Sequence, residues 1–232
     1  PDARTIDRSV RLYMALKRLL VDRGYTMAAV KCMDEMTNSY CSFCLANSLL
    51  NDDGFAVSCE GDIYAALTMK ILRELSSETA LFGDVNHVDH EGKMLRIVNC
   101  GSMPSSLAVD RKDVDLQNQY DYLSEAGGAV TVFSVNSFLA TGARLFRVRG
   151  AMGMVAFEGE TVRRPKEEFA EAREYWPHAY MKLDCDTHAL VQNLRSNHMH
   201  VCPGHCLDAI REFCHLVGVE LTVPGETSSR HA

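Results

Sequence analysis

The sequence predicts an α/β fold in two parts: residues 1–77 as the C-terminal part of a larger parallel, doubly wound α/β domain, then a β-rich, barrel-like domain over 78–232 that includes a terminal helix. Two observations predict it. Up to residue 77, helical apolar periods alternate with short unbroken apolar runs, the pattern of a parallel sheet covered on both faces. After Ser76 and Ser77 the texture changes to strand-like runs with few helical periods between them.

The first helix is expected over 5–23. There Ile6, Val10, Tyr13, Leu16, Leu19 and Leu20 fall at helical spacing, and Gly24 stands where a left-handed cap is wanted. A strand over 27–30 follows, then a helix over 39–50 stopped at Gly54, a buried strand over 55–58 and a helix over 63–75. In the second part, strands are expected at 80–82, 95–98, 129–135, 145–148 and 154–157. Residues 164–175 are charged and compatible with a helix whose start Pro165 limits, and 208–217 reads as a last helix ended by Gly218. The tail from Pro224 is expected to fray, and no internal repeat is present.

Composition narrows the function classes. Hydrophobic residues make up 47% of the 232 and charged residues 24%, ordinary globular usage far from the signature of disorder. The net charge is −7 and the 24 Lys and Arg are scattered, so no basic stripe exists for a nucleic-acid backbone. The apolar runs fall short of the roughly 18 residues a membrane span needs, and the polar start Pro1, Asp2, Ala3, Arg4 is no signal peptide. Nine cysteines, several in apolar periodic segments, read as buried thiols of a cytoplasmic protein. A chain starting at Pro1 with no initiator Met suggests processing or a piece of a longer polypeptide.

The segment Cys59, Glu60, Gly61, Asp62 joins the strand at 55–58 to the next helix, and ligands collect at such carboxyl ends in open α/β sheets. The plainer reading is that Asp62 caps the helix and Glu60 faces solvent. Asp84 lies 24 residues beyond Glu60, after the next strand, a separation that brings both carboxylates to one edge. In Asn197, His198, Met199, His200, Val201 the period of two puts both histidines on one face, where a structural role is the plainer reading. Together, Glu60, Asp84 and His198 offer hard oxygens and one imidazole, a set that suits manganese or magnesium better than zinc or copper.

Glu60, Gly61, Asp62 resembles the Glu-x-Asp segment of the L-fucose isomerases. Residues 81–84 resemble their strand ending in an aspartate, and Asn197, His198 with Gly204, His205 resemble their Asn-His and Gly-His pairs. The 24-residue carboxylate spacing is similar too, and the resemblance runs from about residue 30 to 219. It implies a metal-dependent aldose–ketose isomerase working through a cis-enediol, with Glu60, Asp84 and His198 binding Mn2+ (Mg2+ or Co2+ as substitutes). It further implies Glu60 and Asp84 as proton-transferring groups and Asp62, Asn99, Asn197, Trp176 and His178 as candidate contacts to a fucose- or arabinose-like sugar. Arabinose isomerases, which share the Glu-Gly-Asp segment, place a fourth ligand histidine near Asn99; here Asn99, Cys100, Gly101 stands where many related chains have His-Cys-Gly, which argues for three ligands. Such enzymes are about twice this length, and the resemblance implies a trimer or hexamer in which an N-terminal domain closes a neighbour's pocket, with this chain as the catalytic C-terminal half.

Competing motifs have plainer readings. Cys41 and Cys44 form a C-x-x-C inside the helix expected at 39–50 and have no second pair, so packing is favoured over zinc or redox chemistry. His200, Cys202, His205 and Cys206 could hold zinc, but the strand period splays them. Trp176, His178 and the turn at 31–35 are pocket-lining candidates, a core Trp being the plainer reading. Arg163, Arg164 and the acidic run at 167–174 read as a solvated face. The rival functions are a degenerate family member that binds or scaffolds, and a metal-dependent aldolase or hydrolase.

Overall fold

The computed structural model describes residues 1–120, 123–169 and 176–226. Helix α1 (Ala3–Arg23) begins where the Asp2 carboxylate accepts from the Thr5 N–H. It ends at Gly24, whose left-handed φ of 66° lets its own N–H reach the last carbonyls. Strand β1 (Met27–Ala29) pairs in parallel with β2 (Ala56–Ser58), Met27 opposite Ala56.

The helix expected at 39–50 is two helices, α2 (Glu35–Ser39) and α3 (Cys44–Asp52). Tertiary hydrogen bonds break it: Ser42 N donates to Gly127 O at 2.8 Å, and Ala126 N to Thr37 O at 3.1 Å. A passing loop thus takes the backbone groups a continuous helix would use. Cys41 consequently precedes the helix that Cys44 opens.

Helix α4 (Ile63–Ser76) packs across both parallel strands. The chain then enters β3 (Leu81–Asp89), which joins an antiparallel sheet and adds no third parallel strand. Among the described residues, therefore, the expected doubly wound sheet amounts to one parallel pair flanked by helices. The β-rich part is as expected in kind. After β4 (Met94–Val98) and an antiparallel pair β5 (Asp115–Asn118) and β6 (Ala129–Val132) come β7 (Leu139–Val148), β8 (Ala151–Thr161), β9 (His178–Leu183), helix α5 (Thr187–Asn193) and β10 (His198–Pro203). Neighbours run β8-β7-β10-β3-β4-β9, and β9 pairs back to β8, closing a six-stranded antiparallel barrel. Helix α6 (Leu207–Val217), capped by Gly218, leads to β11 (Glu220–Thr222), which lies parallel on β8.

The period of two decides what lies inside. Leu81, Leu95, Ile97, Val155, Phe157, Met181, Met199 and Val201 pack into one buried cluster, the barrel's interior. Alternate residues, Phe82, Ala143, Leu145, Met154, Ala156 and Cys202, face out and share a second core with Ala65, Met69 and Leu72 of α4. The site lies at this outer face.

Strands β7 and β8 are longer than expected because glycines interrupt their apolar runs. A Cβ on Gly142 would come 2.5 Å from the Phe157 ring, so the missing side chain makes room for an aromatic inside the barrel. Strands β5, β9 and β11 and helix α5 were not anticipated. Of residues 164–175, Lys166–Phe169 form a 3-10 turn and 170–175 lie outside the described residues, as does the tail beyond 226. No helix among the described residues is long and apolar enough to cross a membrane.

The closing seam has its own test. A Cβ on Gly159 would sit 2.1 Å from the Lys182 carbonyl oxygen. Gly159→Ala is expected to lower unfolding stability by about 1–3 kcal/mol through overpacking, measured by urea denaturation, whereas Ala151→Ser at the exposed strand end changes it by less than about 0.5 kcal/mol. Equal, small effects would mean that β8 and β9 do not close the barrel.

Candidate active site

The turn between β2 and α4 is pinned on both sides. Val30 N donates to Ser58 O at 3.0 Å, Gly61 N to Val30 O at 3.0 Å, and Asp62 N to Cys59 O at 3.2 Å. Glu60 adopts φ 58°, a left-handed conformation that costs a non-glycine residue on the order of 1–2 kcal/mol. Its side chain stands at the wall of a cleft, 37% exposed. Two residues on, Asp62 caps α4 by accepting from Ala65 N at 2.9 Å. Both parts of the plainer sequence reading meet here: Asp62 is the cap, and Glu60 faces the cleft.

Strands β3 and β10 bring the other groups. Their register sets Asp84 directly opposite His198. Asn197 holds Asp84 in place, donating from Nδ2 to Oδ1 while its carbonyl accepts from Val85 N at 2.7 Å. His198 lies under the Phe82 ring, centroids 4.6 Å apart, and reaches Asp62 Oδ2 through Nδ1 at 2.6 Å. Its Nε2 is 3.2 Å from Glu60 Oε2 and 3.7 Å from Asp84 Oδ1. An ionised carboxylate only accepts, so Nδ1 carries a proton toward Asp62 and Nε2 is the atom turned to Glu60 and Asp84.

Arg144 of β7, its side chain only 7% exposed, completes the support with an ion pair to Asp62 at 2.8 Å. Burial alone would raise the Asp62 pKa, but the hydrogen bonds from His198 and Arg144 hold it well below the usual range. Burial likewise opposes charge on His198; the hydrogen bonds to Asp62 and Glu60, with Asp84 nearby, outweigh it and push the ring up to about 10. Asp84 is raised, chiefly by burial, with His198 opposing and Glu60 adding to the effect. His200 shares the outer face but not the cluster: fully buried, it faces Ala143 O at 3.2 Å, and burial lowers it to about 3.

The cleft has a volume of about 320 Å³ and includes Glu60, Asp84, Asn86, Arg96, Trp176 and His178 in its lining. Trp176 meets Tyr120 edge-on, and its buried Nε1 lacks a hydrogen-bond partner. Burial lowers His178 to about 4, so the ring is neutral, and its Nδ1 makes no hydrogen bond of normal geometry. Asn99 stands apart: its side-chain oxygen accepts from Gly101 N, Ser102 N and Ser102 Oγ, tying down a turn behind the cleft. His205 is elsewhere, with Nε2 3.1 Å from Gly159 O on β8. The C-x-x-C pair does not act as a unit, since Cys44 Sγ lies 3.7 Å from Cys100 Sγ, and all nine cysteines are free thiols.

Sequence reasoning missed Arg144, Asn86 and Arg96. Arg144 left a signal, a charged residue amid an otherwise apolar strand, which is tolerated only when paired. Arg96 and Asn86 left none, because exposed strand residues of that kind are common.

Glu60 and His198 bond to each other directly, and no three His, Cys, Asp or Glu side chains among the described residues stand at the spacing of an assembled metal centre. The donor chemistry nevertheless fits a hard divalent cation. Two carboxylates converge on an imidazole nitrogen whose partner nitrogen is held by a carboxylate, the support that metal-ligating histidines have.

The cluster thus sits in an open cleft on the outer face of a closed barrel. Residues 97–223, more than half of the chain, match the L-fucose isomerase C-terminal domain, and the chain belongs to that family. The match contains His198 and the Trp176–His178 wall, while Glu60 and Asp84 lie before it. The chain is 29% identical over 143 residues to the sulfoquinovose isomerase of Alkalicoccus urumqiensis, covering 58% of the chain and 32% of that protein. The proteins of that name from Clostridium sp. (strain MSTE9) and Priestia megaterium are 31% identical over 107 residues and 28% over 155, covering 46% and 63% of the chain and 24% and 34% of those proteins. The chain thus spans about a third or less of the length of these curated relatives.

Asp62 and Glu60 are expected to respond to substitution in opposite directions. Asp62→Ala strips the α4 cap and leaves buried Arg144 unpaired, a loss of about 3–5 kcal/mol. Glu60→Gly relieves the left-handed strain and leaves stability unchanged or raised by up to about 1 kcal/mol. Urea unfolding of both variants checks this, and equal losses would contradict the division of roles.

Proposed function

We propose that the protein carrying this chain is a metal-dependent aldose–ketose isomerase, with Glu60, Asp84 and His198 holding a divalent ion, Mn2+ foremost and Mg2+ or Co2+ as substitutes. The observation that carries this reading is the aim of His198: Asp62 fixes its Nδ1, so Nε2 faces Glu60 and Asp84 across the end of a sugar-sized cleft. Family membership and relatives named sulfoquinovose isomerase support the sugar isomerase class. The substrate is an aldose of the fucose or arabinose kind or a sulfoquinovose-like one.

When bound, the ion supplies Lewis-acid polarisation of the substrate carbonyl. The chain's own groups do the rest. Glu60 and Asp84 reach the cleft from different elements, so one takes the C2 proton of an open-chain aldose and the pair returns a proton to C1 through a cis-enediol, general acid–base help on the order of 10² to 10⁴. Asp62 and Asn197 act by positioning, one through His198 and the other through Asp84. Trp176 and neutral His178 form part of the wall against which the sugar packs. Asn99, committed to its turn, shapes the wall.

We further propose a homo-oligomer, trimer or hexamer, in which a partner subunit closes the cleft. The free thiols support a reducing, cytoplasmic setting.

The experiment is solvent exchange at C2 of an aldose by the full-length protein. Chelation should abolish exchange and lower the melting temperature, with Mn2+ restoring both; a saturating ion at about 100 times its dissociation constant adds roughly 2.7 kcal/mol. Glu60→Gln should cut exchange by about 10² to 10⁴, whereas Cys41→Ala retains it. Exchange at the parent rate in Glu60→Gln would withdraw the carboxylate assignment.

A further inference from the structure

Four cysteines form a row behind the cleft. Cys59 Sγ is in hydrogen-bonding contact with the sulfurs of Cys32 and Cys100, and Cys44 Sγ lies 3.7 Å from Cys100 Sγ. Cys32, Cys44 and Cys59 are 7%, 8% and 3% exposed, whereas Cys100 is half-buried and is the one cysteine among the described lining residues of the cleft. Packing accounts for part of this, since Val130 and Val132 cluster with Cys44 against Cys100. It does not account for Gln119. That residue, 4% exposed, donates from Nε2 to Cys44 Sγ at 3.3 Å and to the Cys100 carbonyl at 3.0 Å, while its Oε1 accepts from Tyr120 N. A buried amide therefore spans both members of the pair and holds them side by side. The turn beyond Cys100 is held as well: Gly101 has φ 114° with no room for a Cβ against Val130, and its carbonyl accepts from Thr131 Oγ1 at 3.2 Å.

We propose that Cys100 and Cys44 are a hydroperoxide-sensitive modification site, in which Cys100 is oxidised from the cleft, Cys44 resolves it to a disulfide, and the link suppresses activity. The Cys100 thiolate attacks one peroxide oxygen, the O–O bond breaks, and the thiol's proton goes to the departing oxygen as water or an alcohol, leaving Cys100 a sulfenic acid. Cys44 Sγ then attacks Cys100 Sγ. The S–S bond forms, the S–O bond breaks, and the leaving hydroxide takes the Cys44 proton as water. Each sulfur supplies one of the two electrons the peroxide accepts. A disulfide is about 2.05 Å long, so the sulfurs must close by about 1.6 Å. Closure draws Cys100 toward α3 and out of the wall that also carries Glu60 and Asp84. Displacements of about 1 Å in such a site cost on the order of 10² in rate. The thiol chemistry is independent of the isomerase reading; the loss of activity rests on it.

The test exposes the reduced full-length protein to hydrogen peroxide, blocks the remaining thiols and maps the products by mass spectrometry. The expected product has lost two hydrogens across a Cys44–Cys100 link. It should form ahead of any link between Cys202 and Cys206, whose sulfurs lie 4.0 Å apart and are both buried. In Cys44→Ala the reaction should stop at a Cys100 sulfenic acid, trapped by dimedone. Solvent exchange at C2 of an aldose should fall by about tenfold or more in the linked protein and return with dithiothreitol. A first link at any other pair, Cys100 left as a thiol, or exchange undiminished in the linked protein overturns the proposal. A mapped Cys44–Cys100 link with no C2 exchange in the reduced parent would retain the thiol site and overturn the isomerase, while exchange in a parent that never forms the link would do the reverse.

Discussion

The structure depends on one half-buried carboxylate. Asp62 caps α4, accepts from His198 of β10 and pairs with Arg144 of β7. One side chain therefore fastens the helical layer to two barrel strands and sets the orientation of the imidazole at the cleft. Such a group would be costly to bury alone, and it is tolerable because each oxygen is matched by donors from separate elements. Architecture and chemistry share the same hydrogen bonds, so neither can drift without the other.

This sharing explains why Glu60 can sit in a conformation disfavoured for its residue type. The backbone around it is held by Val30 and Cys59, and the neighbouring cap fixes the start of α4. Strain at a site facing solvent persists when the surroundings over-determine it, and the result is a carboxylate aimed at His198 rather than away from it. The opposing strand pair works by register: Asp84 and His198 face each other because β3 and β10 run antiparallel with one alignment, which a slip of one residue would turn to the other face.

The sequence made much of this legible. Periodicity and caps gave α1, α4 and α6, since their signals lie within a few residues of one another. The Glu60 and Asp62 turn, Asp84 and the Asn197–His198 pair could be picked out because each follows or opens a strand and carries a recognisable residue set. Illegible were features set by distant partners. The break at residues 40–43 comes from a loop near Gly127, and β9 becomes a strand only because β4 and β8 flank it. Arg144 could be seen as odd, yet its partner lies 82 residues away. Of the expected doubly wound domain only the parallel pair β1–β2 lies among the described residues, and the pattern after α4 does not say whether the next strand continues that pair or joins an antiparallel barrel.

The pairing of β3 with β10 has a consequence for biosynthesis. Asp84 and His198 are adjacent in the barrel but 114 residues apart along the chain, so β3 leaves the ribosome long before its neighbour exists. At about 5–20 residues per second, that gap leaves one edge of β3 without its native neighbour for several seconds or more, and Asp62 without the imidazole it will orient. The barrel cannot close cotranslationally from its N-terminal side, and a high contact order of this kind slows folding. In the nascent chain, the residues of the cleft come together only after nearly all of this segment has been synthesised.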